Sequence, residues 1–311
     1  MISAGHLKIG PLCWNLRVPA GCRVHYPDPA YRGFWTACDP SDAESPASSS
    51  VAGIRTMPVS VQRKALAIPV TEPMYRAGLN WAIWEDGPDY VICSGFHGRE
   101  RARVYCRLSR ALDHAVLNLD PEGVGTDSAM WSAPLRYPLD QILSWALLSR
   151  CGGLVLHSAL AVKDGLGWVF AGRSGAGKST LSALCHARGW RILNDDRAMV
   201  FHRDGRLRVS GTPWHGSGRF AEADEVPLGG IYFLHQALQN RVEPMTESSV
   251  RLALLDVAGI PWFEDAWAQG ALDAVERIAR TADVAACYFT NTLSVVDVLE
   301  SHRLEGVGVC A

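Results

Sequence analysis

One stretch of the chain carries the groups needed to hold a phosphate chain: Gly172-Arg173-Ser174-Gly175-Ala176-Gly177-Lys178-Ser179-Thr180. It fits G-x-x-x-x-G-K-[ST] at every fixed position and lies between an apolar run, Trp168 to Ala171, and a helical pattern, Ser179 to Ala187, which is the context a P-loop requires. The chemistry follows from the residue types. Glycines let the backbone turn tightly so that its N–H groups face phosphate oxygens, and the helix that starts there adds the positive end of its dipole. Lys178 is placed to reach the β/γ-phosphates and the Ser179 hydroxyl to hold Mg²⁺. The expected ligands are therefore ATP, or another nucleoside triphosphate, and Mg²⁺.

A pair of acids, Asp195 and Asp196, follows one helix later. Phosphoryl transfer to a hydroxyl needs an acidic group on the metal and a carboxylate within reach of the hydroxyl proton. Adjacent side chains on an extended segment point to opposite faces, so both acids reach one site only if the strand ends in a turn there. A third candidate is His157, inside the apolar run Leu154 to Val162. Two readings stand open: a satisfied core histidine, or a group beside the phosphates, because its strand forms a hairpin with the strand leading to the loop.

These residues need a frame. Lys163 to Gly167 turns the chain between the two strands, Gly189 ends the helix, and Trp190 to Asn194 reads as the strand that delivers the acids. Beyond them come a strand, Arg206 to Ser210, and a glycine-rich loop, Gly211 to Gly218, with Trp214 and His215 at its tip. That loop reads equally as a lid or as a tight turn around a buried tryptophan. Ile231 to His235 and Ala285 to Thr290 read as strands; Ser248 to Val257, Asp265 to Ala282 and Val295 to Ser301 read as helices.

The first half has a different texture. Short apolar runs, among them Leu79 to Trp84 and Tyr90 to Cys93, are broken by turn signals such as Glu85-Asp86-Gly87-Pro88 and His97-Gly98. Arg101 to Leu108 alternates like a strand, and Asp39 to Ser50 reads as a polar surface loop. Trp14, Trp35, Trp81, Trp84 and Trp131 are expected in the core, and Arg99, Arg101, Arg103, Arg107 and Arg110 on a solvated face. Helical spacing resumes at Leu139, Ile142, Leu143, Ala146 and Leu147, between Pro138 and Gly152-Gly153. The expected division is a β-rich N-terminal domain over 1–135 and a nucleotide-binding catalytic domain over 136–311.

Composition excludes several classes. Thirty basic and 32 acidic residues give a net charge of −2, without the global basic field of a non-specific nucleic-acid binder. The nine cysteines contain no C-x-x-C pair, so a zinc knuckle is not indicated and reduced thiols in the cytoplasm are expected. The opening Met1 to Lys8 has no basic region followed by a long apolar one, and no apolar run reaches a membrane-spanning length, so neither secretion nor a membrane partner is expected. A homo-oligomer is left open.

The order of His157, hairpin, Gly172 to Ser179, helix, then Gly189 to Asp196 resembles the C-terminal catalytic domain of HPr kinase/phosphorylase. The resemblance implies an α/β P-loop kinase core with a fold akin to phosphoenolpyruvate carboxykinase. It further implies that Asp195 is the base toward the acceptor hydroxyl, that His157 is its neighbour, and that Ser179 and Asp196 lie on the magnesium side. Thr180 departs from that family, which carries glutamate there, and the family's later signature associated with phosphorolysis has no copy here. Gly211 to Gly216 and Val226 to Leu234 look instead like HPr-kinase-related proteins of bacterial peptide-modification clusters, a group that includes kinases of lasso-peptide precursors. The implied activity is transfer of the γ-phosphate of ATP to a hydroxyl of a peptide or protein, at serine or a C-terminal residue. A small-metabolite kinase and a non-catalytic ATP-binding module share the same parts.

Overall fold

A computed structural model of the protein describes residues 1–38, 54–97, 100–123 and 129–307. The polar segment Asp39 to Ser50, with Gly98 and Arg99, lies outside the described residues. The chain divides into two compact units, Met1–Leu147 and Leu148–Ala311.

The first unit is mainly strand. Its elements are β1 (Ile2–Ile9), β2 (Leu12–Val18), β3 (Arg23–His25), β4 (Trp35–Ala37), β5 (Arg55–Arg63), β6 (Tyr75–Ala77), β7 (Trp81–Asp86), β8 (Asp89–His97), β9 (Arg101–Ser109), β10 (Ala115–Leu119) and β11 (Met130–Ser132). Nine of them form one sheet in the order β4-β1-β2-β5-β10-β9-β8-β7-β6, and β3 pairs with β11. Period-two alternation sets the register: Leu16 lies opposite Val59, Val59 opposite Ala115, Ala115 opposite Leu108 and Leu108 opposite Tyr90. All five are buried, so a one-residue slip would turn an apolar row to solvent. The β7–β8 turn places Gly87 at φ +59°, where a side chain would be strained. Trp14, Trp81, Trp84 and Trp131 are buried, while Trp35 is half-buried. Arg101 pairs with Asp120 and Glu122, Arg107 with Asp86 and Asp89, and Arg110 with Glu85, along a solvated face. Helix α1 (Leu139–Cys151) runs across the division and buries Leu139, Ile142, Leu143, Ala146 and Leu147.

The second unit contains β12 (Leu154–Lys163), β13 (Leu166–Ala171), α2 (Lys178–Ala187), β14 (Arg191–Asn194), β15 (Arg197–Arg203), β16 (Arg206–Ser210), β17 (Glu225–Gln236), β18 (Arg241–Pro244), α3 (Glu247–Val257), α4 (Asp265–Thr281), β19 (Val284–Phe289) and α5 (Ser294–Val307). The strand path runs β13-β12-β15-β16-β17-β19-β18, with β14 on β12 and β17 also returning to β13. Two pairings in this sheet are parallel, β13 with β17 and β17 with β19.

Both faces of the sheet are buried, which gives β13 its unbroken apolar run. Val169 and Ala171 join a core with Val250, Leu254, Val275 and Ile278 of α3 and α4. Trp168 and Phe170 point the other way, into a core with Leu181 and Cys185 of α2 and Val295, Val296 and Leu299 of α5. This is mixed α/β architecture built on large sheets. Two strands, β15 and β18, go beyond the elements that periodicity indicates, and β17 extends further toward the N-terminus than the apolar run Ile231 to His235. Among the described residues no helix is long and apolar enough to cross a membrane.

Candidate functional site

The glycine-rich loop leaves β13 at Ala171 and enters α2 at Lys178. Gly177 is the N-cap, with φ +100° and no side-chain cap. A β-carbon on it would stand 2.5 Å from the Phe289 ring, so this position combines a left-handed backbone with a close approach. Gly175 is also left-handed, at φ +84°. The loop closes on itself through the Ala176 amide donating to the Arg173 carbonyl at 3.1 Å. Gln236 Nε2 donates to the Gly175 carbonyl at 2.8 Å and props it from outside. The first amides of α2 have no intrahelical acceptor, and no side chain caps them, so the helix presents donors and its positive end at the loop.

Lys178 folds back over this loop. Its Nζ donates to the Gly172 carbonyl at 2.8 Å and the Arg173 carbonyl at 3.0 Å, and lies 2.9 Å from His157 Nε2. These contacts use all three ammonium protons, which is how a lysine only 7 % exposed avoids an unpaired buried charge. Burial pushes its pKa below the ordinary lysine value, against the pull of the Asp196 charge.

His157 links the lysine to Asp196. Its Nδ1 faces two oxygens of Asp196, the backbone carbonyl at 3.1 Å and Oδ1 at 3.1 Å. Two acceptors at one nitrogen place the proton on Nδ1, leaving the Nε2 lone pair to accept from the Lys178 ammonium. Arg197 Nη1 donates to the other carboxylate oxygen of Asp196 at 2.6 Å. Burial works to raise the Asp196 pKa, but the His157 hydrogen bond and the charges of Arg197 and Lys178 outweigh it and hold the carboxyl below its usual value.

The chain bends at Asp195 and Asp196, between β14 and β15, and the two carboxylates part company. Asp195 is 2 % exposed and faces the Gly211 to Gly218 loop, accepting from the Gly216 amide at 2.8 Å and the Gly218 amide at 2.5 Å. A β-carbon at Gly218 would lie 2.7 Å from the same carboxylate, so the loop fits over Asp195 only because glycine stands there. The structure therefore brings Lys178, His157 and Asp196 into one chain of contacts and sets Asp195 beside it under the loop. Trp214 is buried and His215 exposed at the loop tip. Ser179 is exposed on the first turn of α2 and Thr180 half-buried beside it. Ser174 is exposed, and the Arg173 side chain is drawn outward into a two-bond pair with Asp256.

Two residues that hold this arrangement do not stand out by type. Asn194 is fully buried; its Oδ1 accepts from the Asp196 amide at 2.7 Å and the Arg197 amide at 2.6 Å. Its Nδ2 donates to the Thr212 carbonyl at 2.8 Å and the Trp214 carbonyl at 3.3 Å. One side chain thus fixes the acidic bend and ties the Gly211 to Gly218 loop to it. Thr212 adds a bond from its hydroxyl to the Arg197 carbonyl at 2.7 Å. The available signal was an asparagine directly before two acids, the composition of an Asx turn.

A family model described as SynChlorMet cassette protein ScmC matches residues 139–304, just over half of the 311-residue chain. No curated protein matches. Among solved structures, the HPr(Ser) kinase/phosphatase from Coxiella burnetii is similar at 14% identity and a TM-score of 0.31, over 50% of this chain and 93% of that one. So remote a superposition carries no functional argument.

Proposed function

We propose that this chain, which belongs to the family of the SynChlorMet cassette protein ScmC, is a phosphotransferase that moves the γ-phosphate of ATP to a hydroxyl group. The family description names a cassette and no reaction, so the reading rests on the site. Its main support is the convergence of Lys178, His157 and Asp196 at the mouth of the loop Gly172 to Gly177. On this reading the loop amides and Lys178 take the phosphates, with the ammonium exchanging its carbonyl partners for phosphate oxygens.

The oxygen donors available suit Mg²⁺, a hard cation held by one or two carboxylates together with substrate phosphates. Ser179 and Asp196 would hold it, and it would neutralise charge on the phosphates. Among the described residues no group of three His, Cys, Asp or Glu gathers as a cage, and a site completed by phosphate oxygens needs none. Asp195 is the base in this reading. Each of its oxygens keeps a lone pair beyond the amide it accepts, and the acceptor hydroxyl reaches it when the Gly216 to Gly218 stretch lifts. A second division of labour is favoured by the burial of Asp195: Asp195 pins the loop, and Asp196, 21% exposed at its side chain, takes the proton.

For the acceptor we propose a peptide or protein hydroxyl, at serine or a C-terminal residue such as that of a lasso-peptide precursor. Mass spectrometry after incubation with Mg²⁺ and γ-labelled ATP tests this against hydroxylated metabolites offered in parallel. A mass gain of one phosphate on a peptide supports it, and label found on metabolites alone counts against it. Label on neither, with no ATP consumed, argues for a non-catalytic nucleotide-binding module.

A further inference from the structure

Three parallel strands, β13, β17 and β19, end side by side. Ala171 pairs with Phe233, and Gln236 with Phe289, so the carboxyl ends of all three open on one edge of the sheet. Ligands of open α/β sheets bind in the crevice outside such an edge. At this edge the glycine-rich loop accounts for only one strand end. The other two bound a separate hollow of about 360 Å³, lined by Gly177, Thr180, Gln236, Leu238, Phe289 and Asn291 among others.

The lining has a definite chemistry. Gly177 and Thr180 belong to the cap and first turn of α2, so the hollow begins where the phosphate loop ends. None of its lining residues is charged. A hollow for further phosphates or for a carboxylate would need cations, whereas a base and ribose need apolar faces and neutral hydrogen-bonding groups. Phe289 and Leu238 supply the first; the side chains of Gln236, Thr290 and Asn291 supply the second. The volume lies within the range of roughly 300–1,000 Å³ usual for small-molecule sites.

The walls are also braced. Asn240 Oδ1 accepts from the Thr290 amide at 2.6 Å and from its hydroxyl at 3.1 Å, and Asn240 Nδ2 donates to Ser294 at 2.9 Å. The loop after β17 is thereby tied to the loop after β19. Gln236, through its bond to the Gly175 carbonyl, joins the hollow to the phosphate loop.

We infer that this hollow is the nucleoside subsite: it takes the base and ribose of the nucleoside triphosphate whose phosphates lie on Gly172 to Ser179. The inference rests on the nucleotide-binding reading of that loop and extends it to the residues that would select the donor. It predicts that the nucleoside part contributes to affinity and that filling the hollow removes that contribution alone.

Calorimetric titration of the full chain with MgATP and with magnesium tripolyphosphate, for the parent and Asn291→Trp, tests it. Asn291 is exposed, so the larger ring can be accommodated without disturbing the core. The parent should bind ATP at least about tenfold more tightly than tripolyphosphate, corresponding to about 1.4 kcal/mol. In Asn291→Trp, ATP affinity should fall to that of tripolyphosphate, which itself stays within about twofold of the parent. Equal affinities in the parent, or an unchanged preference for ATP in the folded variant, would overturn the subsite while leaving the phosphate loop intact. Binding of neither ligand by the parent would overturn the loop reading and the subsite with it. If Asn291→Trp does not fold, saturation transfer from the parent protein to bound ATP decides: strong transfer to the adenine ring protons supports the subsite, and transfer absent from them overturns it.

Discussion

Asn194 carries more of the site than either of its acidic neighbours. Its replacement by alanine would leave the buried Thr212 and Trp214 carbonyls and the part-buried Asp196 and Arg197 amides without this partner. Each such loss costs about 1–3 kcal/mol, so Asn194→Ala should cost at least about 3 kcal/mol. At about 2–4 °C per kcal/mol for a unit of this size, the melting temperature should drop by about 6 °C or more in a thermal scan. A drop under about 2 °C would mean that the bend and the loop are held by something else. The acids separate by a different measurement. Asp195→Asn places an amide nitrogen against one of two loop amides, and should lower transfer at least about a hundredfold if Asp195 is the base. Asp196→Asn should instead raise the Mg²⁺ requirement; exchange of the two phenotypes would favour Asp196 as the base. Asp196 also sets a pH response. Its folded pKa lies below the ordinary aspartate value of about 3.9, so its stabilisation is complete above that pH and is lost as pH falls through the lowered folded value. Chemical denaturation at stepped pH should show a steeper acid loss in the parent than in Asp196→Asn, and parallel curves would contradict the pairing. Residue types at Lys178 and at the acids were legible because their chemistry is rare; the role of Asn194 was not, because an asparagine at a strand end is common and only its partners distinguish it.

At the level of elements, the loop depends on glycine at one position above the others. Gly177→Ala asks an L-residue to adopt φ +100° and puts a β-carbon 2.5 Å from the Phe289 ring. The substitution should abolish ATP binding, measured by calorimetry, while circular dichroism still reports a folded chain; retained affinity would show that the loop tolerates another shape. Sequence patterning served the elements unevenly. The run Leu154 to Val162 matches β12 because it is continuously apolar, and the helix from the loop and the amphipathic pattern after Asp265 match α2 and α4 because each keeps a helical spacing of apolar residues. β15 was missed because Arg197 to Arg203 mixes charged ends with an apolar centre and starts directly after the acidic bend, where turn signals dominate. β18 is four residues long and mostly exposed, too short to show a period. Whether the two acids would part was open in the sequence, since extended backbone sends them to opposite faces and a turn lets both reach one site; the chain bends there, and the Asn194 bonds accompany a bend in which Asp196 alone is joined to Lys178, through His157.

At the level of the whole molecule, every phosphate-binding signal read from the sequence falls in Leu148–Ala311, while Met1–Leu147 is built on a nine-stranded sheet. We propose that the first unit governs acceptor choice and not nucleotide affinity. The sequence carried the β-rich texture of the first half and the mixed α/β order of the second. It did not carry the strand order of either sheet, because pairings such as β5 with β10 or β17 with β13 join segments far apart in the chain. In the function proposed above, Lys178 and its loop hold the phosphates of a nucleotide. Titration of MgATP into the whole chain and into Lys178→Ala, followed by calorimetry, tests it most directly. The parent should show saturable one-site binding and a folded Lys178→Ala at least about tenfold weaker binding, as expected when a charge-assisted contact to phosphate is removed. No binding by the parent, or equal affinity in the folded variant, would contradict it.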